Sequence, residues 1–97
     1  MSSVRWTPQA ADDLASIRAF IERDSPRYAR VVVQRLFDAT ERLKTFPRSG
    51  RIVPELRRDE VREIVLGDYR IVYRLDSGPP VVLTVFRSSR LLPRSRL

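Results

Sequence analysis

The sequence predicts an α+β fold in which a hairpin of two helices packs on one face of a small, mostly antiparallel sheet, in the order β-α-α-β-β-β. Two apolar stripes with helical spacing come first, and each is preceded by a capping residue and a proline. Three strand-like runs follow, and the short turns between them make neighbouring strands antiparallel. At 97 residues, the chain is expected to form a single domain, residues 1–97.

The first helix is expected to begin after Thr7, a residue type that caps helix N-termini, with Pro8 at its first position. A short strand at residues 4–6 precedes it. Asp12 and Asp13 lie in or near its first turn, where the helix dipole favours negative charge. Its buried face is expected to comprise Ala10, Leu14, Ile17, Phe20 and Ile21.

The second helix is expected to begin after Ser25, again with a proline at its first position. It should end near Phe46, because Pro47 cannot continue a helix. The short break between the helices predicts an antiparallel hairpin. The predicted buried face of the second helix is Ala29, Val32, Val33, Leu36, Phe37, Thr40 and Leu43.

The second half of the chain predicts strands at residues 61–66, 69–75 and 81–87, after an irregular loop at residues 51–60. The last strand is apolar on both faces, which is typical of an internal strand. On the middle strand, Tyr69 and Tyr73 alternate with Arg70 and Arg74, so the arginines are expected on the solvent side and the tyrosines in packing roles. The basic tail from about residue 88 is expected to be loose or ordered by a partner.

Composition excludes several kinds of chemistry. The chain has no cysteine and no histidine, which excludes disulfides, thiol or imidazole catalysis, and metal sites built on these residues. No apolar run approaches the roughly 20 residues that a membrane-spanning helix needs, and the start lacks the apolar segment of a signal peptide. We therefore expect a cytoplasmic protein with no cofactor, metal, membrane contact or small-molecule substrate.

The charge is strongly positive. Nineteen basic residues against twelve acidic ones give a net charge of +7, and Lys44 is the only lysine. From residue 77 to the end, the chain carries four arginines and no acidic residue. Such a surface suits nucleic acid or an acidic protein partner. GC-rich codon usage produces the same arginine excess, and this alternative stays open.

Residues 4–87 resemble the RelE/ParE toxins of bacterial type II toxin–antitoxin modules. The resemblance rests on an ordered set of motifs: Val-Arg-Trp-Thr-Pro at 4–8, Phe-Pro-Arg-Ser-Gly-Arg at 46–51, Val-Pro-Glu-Leu at 53–56, and Gly-Asp-Tyr-Arg-Ile-Val-Tyr-Arg at 67–74. RelE-like members cut messenger RNA on the ribosome, whereas ParE-like members poison DNA gyrase. Members of both kinds are silenced by an antitoxin that wraps the toxin.

The resemblance implies a phosphate-binding role for Arg70, with Arg87 as a second cation and Arg62 beside them. RNA cleavage also needs a base and an acid. RelE-like members usually have a tyrosine or histidine shortly after the last strand, but residues 88–93 contain neither. Glu60 and Glu63 remain as candidate bases, and both are expected to be solvated surface charges.

Arg70 and Arg74 also have a simpler interpretation, namely cross-strand pairing with Glu63 or Asp76. A plain nucleic-acid-binding module ranks last among the functions considered, because the chain lacks a helix-turn-helix signature and an aromatic RNA-binding strand.

We therefore expect a ParE-like toxin that arrests growth by binding a macromolecular target, with DNA gyrase first and ribosome-dependent mRNA cleavage as the alternative. The expected target-binding residues are Arg87, Arg90 and Arg70, although the histidine that often follows the last strand in ParE-like members is missing. A cognate antitoxin, ParD-like or other, is expected to place carboxylates against arginines on and beside the helices. These are Arg18, Arg23, Arg27, Arg30 and Arg35, and for any single one a solvated helix face is the simpler interpretation.

Overall fold

The computed structural model describes residues 3–97 and confirms the α+β fold. Its elements are β1 (Arg5–Trp6), α1 (Pro8–Glu22), α2 (Pro26–Glu41), β2 (Arg51–Ile52), β3 (Val61–Leu66), β4 (Tyr69–Arg74) and β5 (Val81–Arg87). The strands form one sheet in the order β1-β5-β4-β3-β2. All neighbouring strands are antiparallel except β1, which runs parallel to β5.

Both helices begin where the sequence predicts. The Thr7 hydroxyl accepts a hydrogen bond from the Ala10 amide, and the Ser25 hydroxyl accepts one from the Tyr28 amide, each at 3.1 Å. The prediction that the second helix reaches Phe46 is wrong, because α2 ends at Glu41 and continues as a 3₁₀ turn over Arg42–Lys44. Such tightening is common at helix ends, and within this turn Leu43 is fully buried.

The helix hairpin covers one face of the sheet. The core there contains Leu36, Leu43, Ile71, Tyr73 and Val82, and the predicted stripe of α1 packs against it except at Phe20. The predicted burial of Phe20 and Phe37 is wrong. Phe37 stacks on Trp6 at the surface, with 6.5 Å between ring centroids, and Phe20 lies beside the end of β5.

The opposite face of the sheet is covered as well, which corrects the expectation of a solvent side. A second apolar cluster there includes Val72, Leu83 and Phe86 from the sheet, together with Val53 and Leu92. Val53 follows β2, so the segment predicted as an irregular loop contributes both a strand and a core residue. The predicted loose tail is also wrong, because burial of Leu92 fixes it on the sheet. Strands that are apolar on both faces need a cover on each.

The segment between α2 and β2 is held against the sheet by Tyr73. The Tyr73 hydroxyl donates to the Pro47 carbonyl at 2.8 Å and accepts from the Gly50 amide at 2.9 Å. A Cβ atom at residue 50 would lie only 2.6 Å from that hydroxyl oxygen, so the position requires glycine. Arg62 adds a hydrogen bond to the Gly50 carbonyl at 3.0 Å. The motif at 46–51 therefore has a structural basis in this close approach.

Candidate functional site

Arg70 lies in a buried network of ion pairs. Its two terminal nitrogens bind the Glu55 carboxylate at 2.7 and 2.8 Å, and its Nε donates to Glu63 at 2.7 Å. The guanidinium carbon also lies 5.0 Å from the centre of the Phe86 ring, a distance typical of a cation–π contact. Pairing with Glu63 is thus confirmed, but the solvent-facing position is wrong, since only 8% of the Arg70 side chain is exposed.

Glu63 is buried rather than solvated, which corrects a second expectation. Its side chain is 0% exposed, and its other carboxylate oxygen accepts from Arg51 at 2.6 Å. Both oxygens are therefore occupied by arginine donors. A carboxylate held in this way is a poor general base, because taking up a proton would break the charge-assisted hydrogen bonds that keep it buried.

Glu55 joins the network from the loop that follows β2. Hydrogen bonds from Arg70 lower the pKa of the Glu55 carboxyl to about 2, against the opposing effect of desolvation. The same hydrogen bonds raise the pKa of Arg70 above its already high value. This role of Glu55 was not predicted, although the residue lies in the Val-Pro-Glu-Leu motif at 53–56. Arg70 consequently presents a guanidinium that is already neutralised within the fold.

Glu55 also binds the C-terminal tail. Its carboxylate accepts from the Leu92 amide at 3.3 Å, and its carbonyl accepts from Arg94 at 3.1 Å. One residue therefore connects the loop after β2, the sheet and the tail.

We expect the free energy of unfolding to decrease as the pH falls from about 5 toward about 2. The pKa of Glu55 is lowered on folding, so its carboxylate stabilises the native state above the ordinary value of 4.5 and loses that contribution as the pH approaches about 2. Urea unfolding at several pH values measures the slope. Glu55→Gln should be less stable at neutral pH and show a flatter acid dependence, and an unchanged slope in this variant would contradict the assignment.

The other two arginines proposed on the sheet have separate structural partners. Arg62 binds Asp59 at 2.8 Å in addition to the Gly50 carbonyl. Arg74 pairs with Asp76 at 2.8 Å, which confirms the predicted partner, but the pair is local and not cross-strand because Asp76 lies two residues beyond Arg74, after the end of β4. The structure therefore does not bring Arg62 into the Arg70 network.

Arg87 and Arg90 lie elsewhere, at a groove of about 260 Å³ where α1 crosses the ends of β4 and β5. We call it the α1–β5 groove. Within residues 3–97, neither side chain forms an ion pair or hydrogen bond. The groove is lined by Asp13, Ser16, Ile17, Phe20, Tyr69, Val85, Phe86, Arg87, Arg90 and Arg96.

Asp13 lies at the floor of this groove and is 6% exposed. Its carboxylate accepts from the Thr84 hydroxyl, from the Val85 amide at 3.1 Å and from Arg96 at 3.1 Å. The first turn of α1 contains no acidic residue, so the interpretation of Asp12 and Asp13 as first-turn dipole partners is wrong. Asp13 instead connects α1 to β5 and to the tail.

The helix arginines form a second cationic surface. Arg18 pairs with Glu22 at 3.4 Å, and both side chains are exposed. The other four arginines have no side-chain partner within residues 3–97, namely Arg23, Arg27, Arg30 and Arg35. Three of these line a shallow surface on α2 with Val31 and Gln34. Beside it, an apolar surface between the helices includes Trp6, Leu14, Val33 and Phe37.

No group of three or more acidic side chains in the described part of the chain is placed to hold a metal ion. In the same part, neither helix combines the length and apolar character that crossing a bilayer requires.

The model of the ParE toxin of type II toxin–antitoxin systems (parDE) matches residues 4–92, nearly the whole chain. The chain belongs to the ParE toxin family. Two relatives agree with this assignment. The putative toxin Y4kP of Sinorhizobium fredii is 39% identical over 93 residues, covering 94% of this chain and 93% of the relative. Toxin RelE2 of Caulobacter vibrioides is 32% identical over 91 residues, covering 94% and 100%.

Solved structures show the same fold as this ParE-family toxin. The chromosomal ParDE system of P. aeruginosa superposes with a TM-score of 0.74 at 24% identity, covering 90% of this chain and 96% of that one. The toxin–antitoxin complex RelBE2 of Mycobacterium tuberculosis gives a TM-score of 0.55 at 28% identity, covering 89% and 96%. The chain is thus the toxin of a type II toxin–antitoxin module, and the resemblance of the sequence to RelE/ParE toxins is confirmed.

Proposed function

We propose that this ParE-family toxin arrests growth by binding a macromolecular target, with DNA gyrase as the first candidate, and that it does so without cleaving RNA. The observation that carries the proposal is that the Arg70 guanidinium is buried and already paired within the fold. The guanidinium that the family resemblance assigns to phosphate is bound by two carboxylates inside the fold. The Arg70 side chain is only 8% exposed, and a phosphate approaching it would be repelled by the partly exposed Glu55 carboxylate.

The general base and general acid that RNA cleavage requires are equally unsupported. Glu63 is buried between Arg51 and Arg70. The Tyr73 hydroxyl is committed to Pro47 and Gly50, and burial raises the pKa of this phenol. Transfer of a proton from the 2′-hydroxyl needs a group free to accept it. A binding toxin needs no such group, whereas it does need accessible cations such as Arg87 and Arg90.

We further propose that a cognate antitoxin neutralises the toxin at the helix hairpin. The P. aeruginosa relative is described as a ParDE system, and the M. tuberculosis relative was solved as a toxin–antitoxin complex. On this chain, unpaired arginines on α2 lie near an apolar surface that contains Phe37. An acidic amphipathic segment matches both features, since apolar burial supplies affinity and opposite charge speeds association.

Two assays run side by side test the target. In the first, purified gyrase supercoils relaxed plasmid, and we expect the toxin to inhibit it or trap cleaved DNA, with antitoxin restoring activity. In the second, translating ribosomes carry a labelled mRNA, and we expect the message to remain intact. Cleavage of the mRNA with gyrase unaffected would overturn the proposal and establish the ribosome-dependent alternative.

A further inference from the structure

We propose that the α1–β5 groove binds an acidic, apolar-anchored segment of a protein. In this arrangement one bulky apolar side chain enters the groove, and flanking carboxylates pair with Arg87 and Arg90. The inference deepens the proposed function, on which it rests for the identity of the partner, because it states the chemistry that the toxin's target must present.

Phe20 contributes an exposed apolar side chain to the groove. Its side chain is 60% exposed although it extends the apolar stripe of a core-facing helix. Ile17 and Tyr69 are half-buried next to it, and Val85 and Phe86 close the groove below. An incoming leucine or aromatic side chain would bury apolar surface on both partners, and anchors of this kind dominate the energy of protein interfaces.

The rim of the groove carries two exposed arginines. Arg87 ends β5 and Arg90 follows it; both are exposed, and neither has a side-chain partner within residues 3–97. Free guanidinium groups at the edge of an apolar groove favour carboxylates, which they bind with two parallel hydrogen bonds. Arg96 does not contribute in the same way, because it is bound to Asp13.

The distribution of charge in the groove favours a protein segment over nucleic acid. The buried Asp13 carboxylate at its floor is already bound by Arg96, so the floor offers no free cation to a phosphate group. Single-stranded nucleic acid is typically held by a row of aromatic platforms along a continuous cationic track. The lining here combines aliphatic side chains with three aromatic rings, but with Arg96 bound, only Arg87 and Arg90 are free within residues 3–97, and they form no continuous cationic track.

Peptide selection on the full chain tests the inference. A random-peptide display library would be panned on the immobilised toxin, and the enriched peptide would be synthesised with a fluorophore for anisotropy titration. We expect a bulky apolar residue flanked by aspartate or glutamate. Removing one buried contact or reversing one rim charge should weaken binding about tenfold, and the variants that do so are Phe20→Ser and Arg90→Glu.

Two matched controls distinguish peptide binding at the groove from nonspecific binding to the protein surface. Phe46→Ser removes a phenylalanine with 61% exposure, almost equal to that of Phe20. Arg5→Glu makes the same charge change at another exposed arginine, which has no side-chain partner within residues 3–97 and lies beside Val81, at the opposite end of β5 from Arg87. Both should leave the peptide affinity within about twofold. The inference would be overturned by an equal loss of peptide affinity in variants and controls, or by failure to enrich any acidic peptide. Tighter binding of a single-stranded DNA oligonucleotide at the groove would also overturn it.

The same variants in the gyrase assay distinguish this inference from the proposed function. If the peptide binds at the groove but gyrase is unaffected, the groove is a protein-binding site and gyrase is not the target. Gyrase inhibition that survives both Phe20→Ser and Arg90→Glu supports the proposed function and refutes the groove.

Discussion

Replacing Arg70 with alanine is expected to lower the free energy of unfolding by about 3 kcal/mol, because it leaves the buried Glu63 and the partly exposed Glu55 without their main partner. Glu63 is fully buried and keeps only the exposed Arg51, while Glu55 loses both of its charge-assisted hydrogen bonds to Arg70. Urea unfolding followed by circular dichroism at neutral pH measures the change. If toxicity decreases in this variant, we expect the loss to follow the loss of folded protein.

Two comparison variants make this expectation specific. Arg74→Ala removes an exposed ion pair with Asp76, in the turn that follows β4, and such exposed pairs contribute at most about 1 kcal/mol. The triple variant Arg70→Met with Glu55→Gln and Glu63→Leu removes all three charges of the network together, and replacing such a network by uncharged side chains is often neutral for stability. An Arg70→Ala protein with native stability and no toxicity would show instead that Arg70 acts directly on the target.

The double charge reversal Arg87→Glu with Arg90→Glu is expected to abolish growth arrest without unfolding the protein. Both side chains are exposed and have no partner within residues 3–97, so the native fold loses no contact. Two reversed rim contacts of about tenfold each correspond to about a hundredfold loss in potency. The measurement is the inducer concentration that halves colony formation, with the melting temperature as the check on folding.

The matched control is Arg27→Glu with Arg30→Glu, which changes the net charge by the same amount on α2. This control should still arrest growth but should need more antitoxin for rescue, because its arginines belong to the proposed antitoxin surface. Equal loss of toxicity in both double variants would indicate a general effect of net charge, and it would contradict the role of Arg87 and Arg90.

The local elements were predictable from local signals. Thr7 and Ser25 cap the two helices, each followed by proline, and both caps are formed as expected. The three long strands lie where alternation and turn residues place them. Each of these signals involves residues close in the sequence, so its effect does not depend on the rest of the fold. The ordered motifs were likewise sufficient for the family.

The site required the tertiary structure. Glu55 lies 15 residues from Arg70 in the sequence, and Asp13 lies 72 residues from Val85, yet each pair is hydrogen-bonded. Alternation along β4 correctly put Arg70 and Tyr73 on opposite faces, but it carries no information about whether another segment covers a face. The loop after β2 and the tail at Leu92 provide that cover.

What the sequence determined by itself is therefore the set of elements, the family and the excess of positive charge. What only the tertiary structure decided is which arginines remain available to a partner. Arg70 and Arg87 lie on neighbouring strands, but Arg70 is bound by carboxylates whereas Arg87 is exposed at the α1–β5 groove. The physical reason is that the availability of a charge depends on its neighbours in space, and long-range packing brings these together.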